Sequence, residues 1–420
     1  MLQLLYGVAA LFLIVKVLPS EEFGSYVLAQ GIVQFITLVS GAMVNRFMVR
    51  ELSKDDWEAL IPFNSLLLSF FLSAVIIVPI IIFKMPIASL FKSEIFGELL
   101  SLSIPLLLSA MLIRSFTQRL IISKRQPTKL FAANGSYFIT LTIGLLYLNI
   151  IGDLKSASQI IYLSAFSAFI SALVGLVLSI DIIRRMKIRY SFNQMSKIMG
   201  FGKYTVGGAT ANMATNTADS YLISYLLGPV HVAYYNSAKF IYKFYQTIPQ
   251  ILDITFYPYA SKLVQEKRNK DVKDLYEKIL CFIYLVLIPV NIIAIFFAER
   301  IMVLLYSGRY DGAHVILQIL IIAASFQPLS TMSVLLAFSY NKPNGVLYGN
   351  VITLFTVVGS GIYLVPQYGA EGMAMALAIG FIVQSFYMTV LIKRSIDVSF
   401  KGVLSRIRDL VNFLKRSGKA

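Results

Sequence analysis

Six ionisable residues lie inside long apolar segments of this 420-residue chain. A charged side chain at the lipid-facing centre of a membrane helix costs about 2.5–3.5 kcal/mol, so we expect all six to face protein or water. Four are cations and two are carboxylates. A buried surplus of cation favours an anionic ligand, and Arg and Lys are well suited to phosphate oxygens. The six residues are Arg114, Arg119, Asp219, Lys239, Lys243 and Asp253.

Uncharged polar residues recur beside these charges at three- and four-residue steps, which places them on one face of each helix. We predict that these stripes line one shared substrate cavity, where Tyr, Asn and Gln suit sugar hydroxyls and rings. Asp219, beside Asn212 and Asn216, and Asp253 are candidate residues for H⁺ or Na⁺ coupling. The predicted cavity residues are Gln34, Asn45, Arg114, Gln118, Asn212, Asn216, Tyr235, Lys239, Tyr242, Lys243 and Gln246.

Simpler structural roles compete with this interpretation. Each amide could bond across a tight helix contact, a contribution of about 0.6 kcal/mol. Arg119 lies about one turn from the end of its segment and could extend its guanidinium to the interface. Asp219 or Asp253 could form a salt bridge with a nearby lysine. These alternatives stay open at the level of sequence.

The elements that must position these residues are membrane-spanning helices. The chain is 57% hydrophobic and 14% charged, whereas soluble domains are about 25% charged. Crossing a bilayer takes about 20 apolar residues, and such runs recur along the whole chain. We therefore predict an all-α integral membrane protein of about 12 transmembrane helices, at 2–18, 25–46, 60–83, 99–122, 129–150, 157–182, 204–227, 233–259, 279–297, 315–339, 345–365 and 371–392.

Basic residues are distributed unevenly between the loops. One alternate set of loops, with the C-terminal tail, holds 27 Lys and Arg, and the other set holds 6. Because positive charge marks the cytoplasmic side, both termini are predicted to be cytoplasmic. The net charge of +16 then reflects the membrane topology and favours contact with anionic lipids. Nucleic acid is not expected as a partner. The first residues have no cationic region or cleavage motif of a signal peptide.

The chain divides into two similar halves. Residues 18–35 match 227–244 at a shift of 209, through pairs such as Leu18 and Leu227 or Tyr26 and Tyr235. Six spans separate the copies, so the halves share orientation, as in parallel-repeat transporters. The predicted domains are an N-terminal six-helix bundle at 1–185, a basic cytoplasmic linker at 186–203, a C-terminal six-helix bundle at 204–393 and a basic amphipathic tail at 394–420.

Several kinds of chemistry are disfavoured. The single cysteine, Cys281, and the two histidines, His231 and His314, are far apart in sequence and do not form a metal-ligand motif. The chain has no P-loop motif for ATP. We expect no metal, no cofactor and no catalytic residue, so active transport would use a gradient of H⁺, Na⁺ or substrate.

Four motifs resemble those of the polysaccharide and O-antigen flippases of the multidrug/oligosaccharidyl-lipid/polysaccharide exporter superfamily. They are VLPSEEFGSY at 17–26, its echo LLGPVHVAYYNSA at 226–238, SGRYDGA at 307–313 and VPQYGAEGMAMA at 365–376. The resemblance covers essentially the whole chain. One departure is that the family usually has a short basic leader before the first span, and this sequence has none.

The resemblance implies a V-shaped pair of six-helix bundles around a central cationic cavity with alternating access. It implies an undecaprenyl-pyrophosphate-linked oligosaccharide as substrate, moved from the cytoplasmic to the periplasmic leaflet of a bacterial inner membrane for O-antigen, capsule or exopolysaccharide synthesis. Polymerase and glycosyltransferases of the same pathway would be partners. In this picture Arg114, Lys239 and Lys243 would contact the pyrophosphate or acidic sugars.

Two other functions remain as alternatives. A cation-coupled multidrug antiporter of the same superfamily would favour acidic or aromatic groups over bound cations in its cavity. A membrane-embedded glycosyltransferase or polymerase would need an acidic catalytic motif on a sizeable loop, whereas the longest loops, 183–203 and 260–278, are short and basic. A lipid II flippase is less favoured, because it would be expected to have two further spans after residue 393, and none are visible in this sequence.

Overall fold

The computed structural model describes residues 13–54, 56–152, 154–393, 395–396 and 400–406. Within these ranges, the side chains of residues 46, 201–209, 211–212, 215–216, 246, 250, 254, 400, 401 and 404 lie outside the description. All regular elements of the described residues are helical, and eight of the helical segments are long and apolar enough to cross a membrane. The all-α fold class is therefore confirmed.

The chain forms two compact units, residues 1–233 and 234–420. The first unit is built on one long helix, Ser20–Leu52, whose neighbours include the helices at Ile61–Ile82, Ser103–Ser123 and Phe192–Leu227. In chain order its helices are α1 (Ser20–Leu52), α2 (Ile61–Ile82), α3 (Lys84–Leu90), α4 (Glu94–Ser101), α5 (Ser103–Ser123), α6 (Pro127–Ile150), α7 (Ala157–Leu178), α8 (Ile180–Arg185) and α9 (Phe192–Leu227).

The second unit has a core in which Phe256, Tyr276, Leu336 and Met388 are buried together. The hydroxyl groups of Tyr276 and Ser333 are 2.9 Å apart and satisfy each other within this core. Its helices are α10 (Pro229–Tyr242, which begins in the first unit), a 3₁₀ turn at Lys243–Gln246, α11 (Thr247–Gln265), α12 (Asn269–Phe296), α13 (Ala298–Tyr306), α14 (Ala313–Ala324), α15 (Gln327–Ser339), α16 (Pro343–Lys393) and α17 (Phe400–Ser405).

The predicted spans differ from the eight apolar segments for identifiable reasons. Helix α16 has 51 residues and contains a break at Gly369, where φ is 61° and ψ is −141°, so it covers both predicted spans, 345–365 and 371–392. Only glycine adopts such a conformation without strain. The predicted span 233–259 is interrupted by the 3₁₀ turn at Lys243–Gln246. Most of the predicted span 2–18 lies outside the described residues.

Helix α9 begins inside the segment predicted as a linker. The segment before it is fixed to the first unit by the buried amide of Asn64, which donates to the carbonyl of Arg189 at 3.0 Å and accepts from the backbone N–H of Ser191 at 2.8 Å. The helix then starts at Phe192 with Ser191 as its N-cap. Residues 192–203 are thus helical, and the division into two six-helix bundles stays a prediction.

Helix α1 approaches both α9 and the start of α10 closely because glycines line the contacts. A Cβ atom on Gly24 would lie 1.9 Å from the carbonyl oxygen of Pro229, and one on Gly31 would lie 2.6 Å from the Tyr221 hydroxyl oxygen. That hydroxyl donates to the carbonyl of Leu28 at 3.0 Å. Small residues let backbones approach and exchange hydrogen bonds in lipid, where no water competes.

The described part of the basic tail is attached to α12. Arg406 pairs with Asp274 at 2.7 Å and with Glu277 at 3.1 Å, and the Glu277 side chain is only 1% exposed. Val403, next to this pair, is buried in the core of the second unit. The tail predicted at 394–420 therefore begins as a docked segment, and residues 407–420 lie outside the description.

Replacing Gly24 with Ala should destabilise the first unit, because the new methyl group would meet a backbone carbonyl that cannot rotate away. We expect a loss of about 1–3 kcal/mol, typical of overpacking. Thermal unfolding of the purified protein in detergent measures this. The matched control is Gly135→Ala on α6, where nothing lies within 4 Å of the new atom; equal melting temperatures for the two variants would contradict the close approach.

Replacing Glu277 with Ala should loosen the tail, because Arg406 then loses its contact with this buried carboxylate. We expect tryptic cleavage after Arg406 to become about tenfold faster, since local opening controls access of the protease. The control is Asp271→Ala, which removes an exposed ion pair with Arg268 on the same helix. A cleavage rate at Arg406 that is unchanged by Glu277→Ala would show that other contacts hold the tail.

Candidate functional site

The guanidinium of Arg114 lies inside the first unit among three helices. On α5 itself, its Nη1 is 3.9 Å from the sulfur of Met111. Its Nε donates to Ser171 Oγ on α7 at 3.2 Å, and its Nη2 donates to Asn134 Oδ1 on α6 at 3.0 Å. The ring of Tyr137, also on α6, lies against the guanidinium with its centroid 4.2 Å from Cζ. Such a cation–π contact stabilises a desolvated cation.

Local backbone features bring these helices together. A tight turn with Arg125 at φ 54° ends α5, and Pro127 at the first turn of α6 starts the next helix, so α6 returns alongside α5. Gly175 lets α7 approach α5, since a Cβ there would lie 2.5 Å from the Thr117 hydroxyl oxygen. Asn134 and Ser171 are buried as a result.

Asn134 is shared between the two predicted site residues of α5. Gln118 donates its amide to Asn134 Oδ1 at 2.7 Å, the same oxygen that accepts from Arg114. The Ser171 hydroxyl in turn donates to the carbonyl of Ala133 at 2.5 Å. Arg114 and Gln118 therefore belong to one network, which we call the Arg114 cluster: Arg114, Gln118, Asn134, Tyr137 and Ser171.

The Arg114 cluster has no negative charge among the described residues. A guanidinium has five N–H donors, and two of them donate to the neutral oxygens of Ser171 and Asn134. No described carboxylate contacts Arg114. The side chain is partly exposed, so donors remain for a ligand that reaches this point. An anion with several oxygens would complete the hydrogen bonding and neutralise the charge.

Asn45, predicted as a cavity residue of α1, lies at a different place in the first unit. Its amide donates to Ser115 Oγ on α5 at 3.3 Å. It lines a small polar cavity of about 10 Å³ with Thr37, Ser65 and Ser69, a size suited to one water molecule. Gln34 is exposed on the same helix. The structure thus connects Asn45 to α5 without placing it in the Arg114 cluster.

In the second unit, Tyr242 is the centre of a polar and aromatic network. Its hydroxyl accepts from the Gln327 amide on α15 at 2.5 Å, and its ring stacks with those of Tyr245 and Phe381 at centroid distances of 6.3 and 6.5 Å. The Tyr245 hydroxyl donates to Asn291 on α12 at 2.7 Å. The contacts of Tyr242 and Tyr245 fix both ends of the 3₁₀ turn at Lys243–Gln246.

The two predicted lysines of this unit differ in burial. Lys239 is 7% exposed, and its ammonium lies 5.6 Å from the ring centroid of the fully buried Tyr235. Lys243 is exposed at the 3₁₀ turn, with its ammonium 4.5 Å from the ring centroid of Phe240. Both contacts keep the cation near an aromatic face. Lys243 is therefore the more accessible of the two cations.

The two carboxylates proposed for ion coupling also lie in different surroundings. Asp219, in the first unit, is fully buried and accepts from the backbone N–H of Ser220 at 2.7 Å. Asp253, in the second unit, is exposed and forms no salt bridge with a described residue. The side chains of Asn212, Asn216 and Gln246 lie outside the described part of the chain.

Several residues of these networks were missed by the sequence analysis. Asn134 and Ser171 in the first unit, and Asn291 and Gln327 in the second, are polar residues within apolar helices and form no stripe of their own, and Tyr245 lies in the 3₁₀ turn. Only the pairing of neighbouring helices reveals them. The signal that could have found them is the cost of an unsatisfied amide in lipid, which requires a partner for each one.

Comparisons with known proteins agree with this architecture. The family model described as "Polysaccharide biosynthesis protein" matches residues 13–315. A probable low-salt glycan biosynthesis flippase, Agl15, of Haloferax volcanii is 20% identical over 214 residues, which are 50% of this chain and 45% of that protein. An uncharacterised membrane protein of Methanocaldococcus jannaschii is 20% identical over 221 residues, or 51% of this chain and 42% of that protein. The matched part of the chain spans less than half the length of each of these relatives.

Solved structures share the fold. A multidrug resistance transporter of the MATE family and MOP superfamily, in an inward-facing conformation, superposes with a TM-score of 0.78 at 14% identity, covering 94% of each chain. The lipid II flippase MurJ, in an inward closed conformation, gives a TM-score of 0.75 at 16% identity, covering 99% of this chain and 91% of that one. The resemblance inferred from the four motifs is confirmed: this multi-pass membrane protein belongs to the polysaccharide biosynthesis protein family and has the MATE and MurJ type of fold.

Proposed function

We propose that the protein is a flippase that moves an undecaprenyl-pyrophosphate-linked oligosaccharide from the cytoplasmic to the periplasmic leaflet of a bacterial inner membrane. The observation that carries the proposal is the guanidinium of Arg114, held within the membrane helices without a carboxylate among the described residues. Membership of a polysaccharide biosynthesis family and the flippase named among the relatives support the same substrate class.

The chemistry of the cluster suits a pyrophosphate in transit. Asn134, Ser171 and Tyr137 fix the guanidinium with neutral groups, so its orientation does not depend on the ligand, and its remaining donors stay available. A ligand oxygen at this position would accept charge-assisted hydrogen bonds from the guanidinium. Because the cluster has no competing anion among the described residues, the ligand can bind without first breaking an internal salt bridge.

In the second unit, the proposed contact for anionic cargo is Lys243, the more accessible of the two predicted lysines. Lys243 is exposed and lies at the 3₁₀ turn between α10 and α11, a tighter and less stable helical form that often marks a hinge. Lys239, with Tyr235, would supply a buried positive field. In this proposal the buried Tyr242 positions the turn that carries Lys243, and Asp219 or Asp253 binds a coupling H⁺ or Na⁺ during alternating access.

A multidrug cation antiporter is the competing function, favoured by the superposition with a MATE transporter. That activity would use carboxylates to bind cationic drugs, and Asp253 is exposed and without a salt bridge among the described residues. Arg114 would then have no role in binding. The two functions therefore predict different dependences of the transport rate: a flippase depends on Arg114, and an antiporter depends on a carboxylate such as Asp253.

Replacing Arg114 with Ala should slow translocation of a polyprenyl-pyrophosphate-linked glycan by about 10- to 100-fold, since a hydrogen bond to a charged group contributes about 1.5–3 kcal/mol. Lys243→Ala should slow it by a similar factor. The assay is the appearance of a fluorescent lipid-linked glycan in the outer leaflet of proteoliposomes. Arg300→Ala, which removes an exposed cation of α13, is the matched control and should keep the wild-type rate.

Two results would contradict the flippase. One is a wild-type glycan rate in both Arg114→Ala and Lys243→Ala. The other is efflux of a cationic dye, driven by a H⁺ or Na⁺ gradient, that is abolished by Asp253→Asn and unaffected by Arg114→Ala, since this pattern identifies the antiporter. Arg114→Lys tests whether the charge alone is enough, because lysine keeps the positive charge and loses the planar fork that binds two oxygens at once.

A further inference from the structure

A cavity outside the Arg114 cluster opens at one end of the first unit, where α5 ends and α6 begins. Its volume is about 180 Å³, far above the roughly 10–15 Å³ that a single water molecule needs. Leu120, Ile121, Leu178 and Ile182 form apolar walls, and the cavity is otherwise lined by Trp57, Lys124, Gln126, Ser179, Asp181 and Arg185.

The mouth of this cavity has a dense group of cations. Lys124 and Arg185 line it, and Arg125, Lys129 and Arg184 are their neighbours in sequence. Two of the lysines are held in position by backbone carbonyls: Lys124 Nζ donates to Leu52 at 3.1 Å, and Lys129 Nζ donates to Leu178 at 3.3 Å. Asp181 is the one acidic residue of the lining. None of the five cations forms an ion pair with a described residue.

In the second unit, by contrast, several cations at α12 form ion pairs with nearby carboxylates. Arg268 pairs with Asp271 at 2.7 Å and with Glu266 at 3.2 Å. Lys278 pairs with Asp274 at 2.6 Å, and Arg406 pairs with both Asp274 and Glu277. A positive-inside bias would be satisfied equally by paired or unpaired cations. The unpaired group at the cavity therefore needs a further explanation.

The shape of the cavity matches a lipid headgroup. Its apolar walls continue the helix surfaces of α5 and α7, and its polar residues lie at the ends of membrane helices, where a phosphate would sit. Trp57 is half-buried at the same level, the usual position of an aromatic residue at a membrane interface. Basic pockets between helices at a membrane surface bind the phosphates of anionic lipids. A soluble anion would gain no binding energy from the apolar walls.

We propose that this cavity is a binding site for the phosphate group of a membrane lipid, held by Lys124 and Arg185 against Trp57. Two lipids could supply that chemistry: a resident anionic phospholipid or a polyprenyl pyrophosphate waiting at the leaflet where it is loaded. The site does not depend on the proposed transport function, because a structural phospholipid would use the same contacts in a transporter of any substrate.

Trp57 is the only tryptophan of the chain, so its fluorescence reports on this cavity alone. The full-length protein, delipidated in detergent, is titrated with short-chain phosphatidylglycerol, with geranylgeranyl pyrophosphate and with short-chain phosphatidylcholine. We expect a saturable change in Trp57 emission with one or both anionic lipids and at least about tenfold weaker binding of zwitterionic phosphatidylcholine. Saturation by phosphatidylglycerol alone identifies a resident phospholipid, and saturation by the pyrophosphate alone identifies cargo.

Variants test which residues hold the phosphate. The double variant Lys124→Gln with Arg185→Gln should weaken the anionic lipid by at least about tenfold, as expected for loss of two charged contacts. The matched control Arg268→Gln removes one paired cation from the second unit and should leave the affinity unchanged. Asp181→Asn should tighten binding, because it removes the negative charge nearest to the phosphate; a misfolded protein cannot produce that gain.

The proposal is overturned by three results. One is the absence of any saturable response of Trp57 to either anionic lipid. Another is equal affinity in the wild type and in the Lys124→Gln, Arg185→Gln double variant. The last is unchanged affinity in Asp181→Asn. If lipid binding fails while glycan translocation in proteoliposomes still depends on Arg114, only this site is rejected, and the transport proposal is unaffected.

Discussion

The organisation of the first unit depends on one constraint: a guanidinium placed among membrane helices must find its hydrogen-bond partners inside the protein. Arg114 meets that constraint through Asn134, Ser171 and Tyr137, which belong to two different helices. The same contacts therefore join α5 to α6 and α7. The close approach of α5 and α7 at Gly175 follows from this requirement, because longer distances would leave the guanidinium donors without acceptors in lipid.

The second unit also has polar side chains within its membrane helices, but these are amides and tyrosines rather than a guanidinium. Asn291 and Gln327 are amides within apolar helices, and each forms a hydrogen bond with a tyrosine next to or within the 3₁₀ turn. A 3₁₀ turn has poorer internal hydrogen bonds than an α-helix, so the tyrosine contacts stabilise a segment that would otherwise be the weakest part of its span. Lys243 thus places an accessible charge in the part of the span with the poorer backbone hydrogen bonds.

Hydropathy predicted the membrane fold well because the cost of exposing polar groups to lipid is large and local. The break at Gly369 was also predictable, since the residue lies between two apolar runs and shortly after Pro366. Hydropathy could not predict that α9 begins at Phe192, because that helix starts in a polar segment held by Asn64. Nor could it identify Asn134 as the acceptor shared by Arg114 and Gln118. A residue's partner on another helix is a property of packing, which periodicity along one helix does not contain.

The arrangement of ion pairs adds information that net charge conceals. The loop count treats Lys124 and Arg268 as equivalent, since each contributes one positive charge to the same set of loops. In the structure Arg268 is paired with two carboxylates, whereas Lys124 is held by a backbone carbonyl beside an open cavity. Exposed ion pairs contribute little stability, so the pairing in the second unit is better understood as cancellation of charge. Within the described part of the chain, positive charge is thus neutralised by carboxylates at Arg268 and is not neutralised by them at Lys124, so the positive field is localised near the cavity. Such a field attracts anionic lipid headgroups within about one Debye length.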